Sequence, residues 1–201
     1  MADEPLDRRA FFQRSLRTLL DTVAESVKAS RHDAPGAPPP LRRLRPPGAV
    51  AEPDFLRLCT RCDDCIAACP AACIVRVPAG QPDAGTPVIV PDSRACVMCA
   101  ELSCTHSCAV EALLPLSHPA AVRIGVAFLD ETACYAYNGT FCDTCVTICP
   151  TEPKAILLNQ GQRPVVDAGP CTGCGLCEER CPTSPRAIRI EVVDRLVTRR
   201  G

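Results

Sequence analysis

Sixteen of the seventeen cysteines in this 201-residue chain fall into four groups of four, and a fold that must place them has little freedom left. The last group, Cys171, Cys174, Cys177 and Cys181 followed by Pro182, has the spacing CxxCxxCxxxCP. Two intervening residues let three successive thiolates curl around one face of a small inorganic core. The extra residue before the fourth cysteine points that thiolate elsewhere. Cys59, Cys62, Cys65 and Cys69 repeat the run in full, with Pro70 after it. Cys96, Cys99, Cys104 and Cys108 carry two extra residues before the third cysteine, and Ala109 stands in the proline's place. In the remaining group Cys134 lies eight positions before Cys142, after which Cys145, Cys149 and Pro150 restore the pattern. The insert 135–141 reads as a short loop at the edge of a site.

Runs of this kind hold [4Fe-4S] clusters in bacterial-type ferredoxins, where the fourth cysteine ligates the neighbouring cluster. Sixteen thiolates therefore make four cubane sites and leave Cys73 over. If neighbouring groups pair, one site takes Cys59, Cys62 and Cys65 with Cys108, and its mate takes Cys96, Cys99 and Cys104 with Cys69. The second pair is then Cys134, Cys142 and Cys145 with Cys181, and Cys171, Cys174 and Cys177 with Cys149. A nested arrangement, first group with fourth and second with third, stays open beside the neighbouring one. A disulfide framework fits poorly, because the count is odd and the spacings are cluster spacings. Structural zinc uses CxxC pairs, two per metal, and has no use for a repeated triplet followed by CysPro.

Composition suits a core built on cofactors. The chain has no Trp, two Tyr and five Phe against 21 Pro, so large side chains are too few to fill an ordinary interior. The formal charge is −1, and each oxidised cluster with its four thiolates adds about −2, which makes the loaded protein anionic. Nucleic acid is not an expected partner, since there is no net basic balance and no aromatic residues are interleaved with basic ones. No apolar run reaches transmembrane length.

The fold class expected is α+β, with tandem bacterial-type 2[4Fe-4S] ferredoxin-like units behind an N-terminal amphipathic helix and a Pro-rich linker. Residues 1–33 carry apolar Phe12, Leu16, Leu19, Leu20, Val23 and Val27 at helical spacing. Residues 34–53, rich in proline and containing Arg42, Arg43 and Arg45, read as an extended linker. The first unit is assigned to 54–118 and the second to 119–201. In the second, 122–130 alternates like a strand, 155–159 and 164–167 flank Gly161 as a hairpin, and 187–192 supplies a closing strand. In the first, 74–77 and 87–90 make the hairpin and 112–116 closes it. No clear strand precedes Cys59, where 55–58 looks helical.

The order of the four groups, with CysTyrAlaTyrAsnGlyThrPheCysAspThrCys at 134–145 and CysThrGlyCysGlyLeuCys at 171–177, resembles the MauM/NapG family of ferredoxin-type proteins over roughly residues 54–193. The resemblance implies four [4Fe-4S] clusters on the sixteen cysteines named above. It also implies a role in passing electrons beside a periplasmic nitrate reductase or an amine-oxidising system. The expected function is thus an electron-transfer polyferredoxin, with no substrate site of its own, acting between redox partner proteins such as an oxidoreductase or a membrane electron-transfer complex. The rival is a maturation factor that binds a partner metalloenzyme and assists its cofactor loading.

Residues 7–13, AspArgArgAlaPhePheGln, match a twin-arginine export pattern. The stretch where the apolar core of such a signal should lie carries charges instead. The expectation is therefore a cytoplasmic chain, with twin-arginine export to the periplasm as the alternative, and peripheral docking as a use for the helix. Three further features carry expectations. His106 is either a hydrogen-bond donor to a cluster sulfur or an exposed side chain. Cys73 reads as a small buried hydrophobe, with a swap for Cys69 as the rival role. Tyr135, Tyr137 and Phe141 either shield the third site from water or simply pack.

Overall fold

The protein is described here by a computed structural model that covers residues 43–192. The expected helix at 1–33, the twin-arginine-like run, residues 34–42 of the 34–53 stretch and the basic tail lie outside the described residues.

Among the described residues three two-stranded antiparallel ladders carry the β structure. Strand β1 (Ile74–Arg76) pairs with β2 (Pro87–Ile89), placing Ile74 opposite Ile89. Strand β3 (Val126–Leu129) pairs with β6 (Ile188–Glu191), so that the chain returns to the beginning of its later half. Between them β4 (Ile156–Leu158) and β5 (Pro164–Val166) form a hairpin. Its turn is held by Asn159, whose Oδ1 accepts from the amides of Gly161 at 2.9 Å and Arg163 at 3.0 Å. Period-2 alternation decides which side of β6 faces inward: Ile188 and Ile190 are buried, while Arg189 points out and lies over the Phe128 ring at 4.4 Å. These strands fall where the alternation of the sequence places them.

Five short α-helices complete the fold among the described residues. Helix α1 (Glu52–Leu58) begins with Pro53 in its first turn and buries Phe55 completely, in keeping with the helical reading of 55–58. Helices α2 (Asp64–Ala67), α3 (Ser103–His106), α4 (Thr144–Ile148) and α5 (Leu176–Glu179) each contain the third cysteine of one group, Cys65, Cys104, Cys145 and Cys177. All four of these cysteines are buried.

Two expectations need correction. The segment 43–50, read as linker, is part of the core: Leu44 and Arg45 are 1% and 2% exposed, and Pro46 and Pro47 are also buried. Proline excludes a helix there, but it does not exclude packing. The Leu44 carbonyl accepts from the Ile89 amide at 2.7 Å, which sets the segment beside the β1–β2 ladder. Arg45 contacts Glu52, Asp83, Thr86 and the Pro87 carbonyl and stacks 4.7 Å above Phe55. The closing strand expected at 112–116 is likewise reduced to one antiparallel bridge, Leu113 opposite Ala49. The Leu114 amide donates to Gly48 O at 2.8 Å and the Val50 amide to Ala112 O at 3.1 Å. The partner of 112–116 therefore lies inside the stretch taken for a spacer.

The earlier and later halves meet along a seam of backbone contacts. The Cys96 amide donates to Cys174 O at 2.9 Å, and within the later half the Ile124 amide donates to Thr172 O at 2.8 Å. Glu179 accepts from the Ala95 amide at 2.9 Å, and Arg186 pairs with Asp92 at 2.9 Å. Gly173 sits at φ +68°, and a Cβ there would lie 2.3 Å from the Gly125 backbone. Two penalties add on substitution, the left-handed conformation and the overlap. Gly173→Ala should therefore cost about 3 kcal/mol, read as a lower anaerobic melting temperature.

Candidate cluster sites

The cysteine loops owe their shape to backbone conformations that few side chains adopt. Asp63, Leu102 and Gly175 all have positive φ, at 71°, 43° and 90°, and each stands two residues before the third cysteine of its group. The residue just before the second cysteine repeats the device at Arg61 (φ 60°), Met98 (φ 49°) and Gly173 (φ 68°). The irregular second group becomes understandable on this basis. Its two additional residues, Ala100 and Glu101, are exposed, while Leu102 is buried and keeps the hook that delivers Cys104. The third group departs from the scheme, with Asp143 at φ −121°. Its insert forms a turn of 3-10 helix at Tyr135–Asn138, stitched down by the Asn138 side-chain amide, which donates to the carbonyls of Thr132 and Cys134.

The sixteen cysteines gather in four sets, each drawing its fourth member from the neighbouring group. In set A, Cys59, Cys62, Cys65 and Cys108 line one cavity with Phe55 and Leu113. In set B, Cys69, Cys96, Cys99 and Cys104 line a second with Leu102. In set C, Cys149, Cys171, Cys174 and Cys177 line a third with Ala127 and Ile190. Set D is read from mutual repulsion: burial pushes Cys145 up to about 12, and Cys134, Cys142 and Cys181 add to it. Among the described residues no three His, Cys, Asp or Glu side chains stand close enough together to hold a single metal ion. The thiols thus surround spaces, a geometry suited to a polynuclear core.

The same repulsion runs through the other sets. Cys65 rises to about 12 through burial and then through Cys59, Cys62 and Cys108. Cys104 reaches about 12 through burial, with Cys96, Cys69, Cys99 and, from set A, Cys65 contributing. Burial raises Cys174 to about 11, with Cys96 of set B adding to it. Burial also raises Cys177, and Cys145 of set D contributes there. Four thiolates crowded in a low-dielectric pocket cannot all ionise without positive charge among them, and iron supplies it. These cross-influences also give the spatial succession A, B, C, D. Exposure differs between the sets: Cys62 of set A is exposed, whereas Cys171, Cys174 and Cys177 of set C and Cys134, Cys145 and Cys181 of set D are buried.

The single residues resolve in different ways. His106 is exposed, and its Nε2 faces the Leu116 carbonyl at 3.3 Å rather than a sulfur. Cys73 is buried as expected, but it also lines the set B cavity, with its Sγ 3.5 Å from that of Cys69. A hydrogen bond between Cys73 and Cys96 raises Cys73 and lowers Cys96 to about 7. Tyr135 and Phe141 are 44% and 67% exposed, too open to screen a site from water. Tyr137 is partly buried, its hydroxyl donating to Pro164 O at 3.3 Å.

Two residues that the sequence reading passed over stand against the sulfurs of the later half. Thr151 Oγ1 lies 3.3 Å from Cys149 Sγ, and Thr183 Oγ1 lies 3.2 Å from Cys181 Sγ. A signal was present: CysProThr, one residue, Pro, a basic residue, then AlaIle occurs at both 149–156 and 181–188.

Comparison with known proteins agrees with the motif. Residues 164–185 match the family model described as a 4Fe-4S binding domain. The methylamine utilization ferredoxin-type protein MauM of Methylobacillus flagellatus is 36% identical over 180 residues, which is 85% of this chain and 77% of that protein. The chain belongs to the MauM/NapG family of ferredoxin-type proteins. MauM of Paracoccus denitrificans is 36% identical over 148 residues, 68% of this chain and 66% of its own length. The ferredoxin-type protein NapG of Escherichia coli K12 is 34% identical over 144 residues, 65% of this chain and 62% of its own. No solved structure matches. Family membership makes this an iron–sulfur protein of the ferredoxin type that binds [4Fe-4S] clusters.

Proposed function

We propose that the chain is a four-cluster electron carrier built from two ferredoxin-like units in tandem, with sets A and B in the first and C and D in the second. The crossed sharing of fourth cysteines carries this reading: Cys108 joins the cavity of the first group, and Cys149 that of the last. Each [4Fe-4S] cluster supplies one-electron redox chemistry at its site. The protein's part is to fix the succession and to bury the third cysteine of every group. The Cys96–Cys174 hydrogen bond joins a ligand of B to a ligand of C across the seam, which makes it the link between the units.

Four thiolates at every site leave no iron for a substrate, so catalysis within this chain is not part of the reading. The partners are redox proteins at the two ends, an oxidoreductase or a membrane electron-transfer complex. Relatives named for methylamine utilization make an amine-oxidising system one such setting. We place the protein on the cytoplasmic side, with twin-arginine export as the alternative.

Iron and acid-labile sulfide in anaerobically purified protein test the count. About sixteen of each per chain are expected. Substantial zinc in place of iron would overturn the reading. Protein-film voltammetry separates the carrier from a maturation factor: reversible couples that exchange electrons with a partner support the former. Clusters that stay silent in turnover while a partner's cofactor loading depends on the chain would sink it.

A further inference from the structure

We infer that Thr151 and Thr183 are redox-tuning residues, each donating a hydroxyl hydrogen bond to the cysteine sulfur two positions before it and raising the potential of the cluster held there. This rests on the four-cluster reading above. The geometry assigns the donor. Thr151 Oγ1 accepts the Ala155 amide at 2.8 Å and Thr183 Oγ1 accepts the Ala187 amide at 2.7 Å, so each hydroxyl's acceptor side is engaged and its proton is turned outward. Cys149 Sγ and Cys181 Sγ stand at 3.3 and 3.2 Å. A sulfur bound to iron carries no proton, so between the two atoms the hydroxyl must donate.

The direction follows from charge. Reduction adds an electron to the cluster and its thiolates, and a donor aimed at sulfur stabilises the more negative state.

The earlier half has no such device. Two positions after Cys69 stands Ala71, and two after Cys108 stands Val110, neither of which has a side-chain donor. Cys108 instead receives the Leu113 amide at 3.4 Å. The two halves thus share a plan but differ in one donor per site.

The test is an anaerobic potentiometric titration followed by EPR, with iron counted on every sample. Thr151→Val and Thr183→Val should keep full iron and shift one cluster each to lower potential. Thr151→Ser and Thr183→Ser should restore the wild-type value, since the hydroxyl returns. Unshifted potentials in fully loaded valine variants would overturn the tuning role while leaving the cluster count intact. Should the valine variants lose a cluster that the serine variants keep, the hydroxyl is a strut for the Ala155 or Ala187 amide, and the proposal also fails. Wild-type protein without iron would remove the underlying reading instead.

Discussion

Replacement of Cys96 by alanine is expected to remove set B and with it electron transfer from one end of the chain to the other. The iron content should fall by about four per chain, and transfer between partners at the two ends by well over tenfold, since even outer-shell changes at metal sites cost about 10–100-fold. Cys96 is singled out for two reasons: it is a member of set B, and its amide makes the hydrogen bond to Cys174 O across the seam. The fifth thiol in that cavity gives the experiment its control. Cys73→Ala should leave iron content at the wild-type level, because Cys69, Cys96, Cys99 and Cys104 remain. An unchanged end-to-end rate in the Cys96 variant, with iron lost as expected, would mean that electrons do not traverse the seam.

The second large effect concerns stability. Arg45→Ala should cost about 4 kcal/mol, the usual consequence of removing one partner from a buried ion pair, and lower the anaerobic melting temperature by about 10 °C. The guanidinium is 2% exposed and faces Asp83 at 2.8 Å, and the contact with Phe55 is lost as well. Its pH dependence has a definite sign. Burial pushes the Asp83 carboxyl up, but Arg43 and Arg45 outweigh it and hold it below its ordinary value. A depressed carboxyl stabilises the fold above the unfolded value of about 3.9, and that contribution disappears as pH falls through the lower folded value. The penalty of Arg45→Ala should therefore be the same at neutral and mildly alkaline pH and shrink below about pH 4. A melting temperature within a degree or two of wild type at neutral pH would contradict the central place given to Arg45.

What the sequence reveals here, and what it hides, follows the range of the interactions. The hairpins at 74–89 and 156–166 can be read because alternation and turn residues are local, as with Asn159 before Gly161. That the fourth thiolate of a group serves another site follows from spacing, because one additional residue before it is a local geometric fact. The choice between neighbouring and nested partners is a long-range matter that spacing leaves open. The packing of 43–50 could not be read the same way. Its prolines and arginines look like a solvated spacer until Arg45 meets Asp83, 38 positions away, and Leu44 meets Ile89. The loss of a full closing strand at 112–116 has the same origin, since its partner lay in that unrecognised segment. Thr151 and Thr183 were hidden for another reason. Attention to the cysteines as ligands leaves unasked what touches the sulfur from outside, and only the repeated CysProThr could have raised the question.

The exchange of fourth cysteines also bears on how the protein is assembled. Set A is incomplete until the second group folds back to bring Cys108, and set B is incomplete until the first group delivers Cys69. Sets C and D clasp each other in the same way through Cys149 and Cys181. On the four-cluster reading proposed above, neither member of a pair closes alone, and metal insertion and chain folding are expected to become one all-or-none event per half. The intermediates of maturation are then a half-built molecule with one clasp shut and a finished one with two, rather than a ladder of four separate fillings.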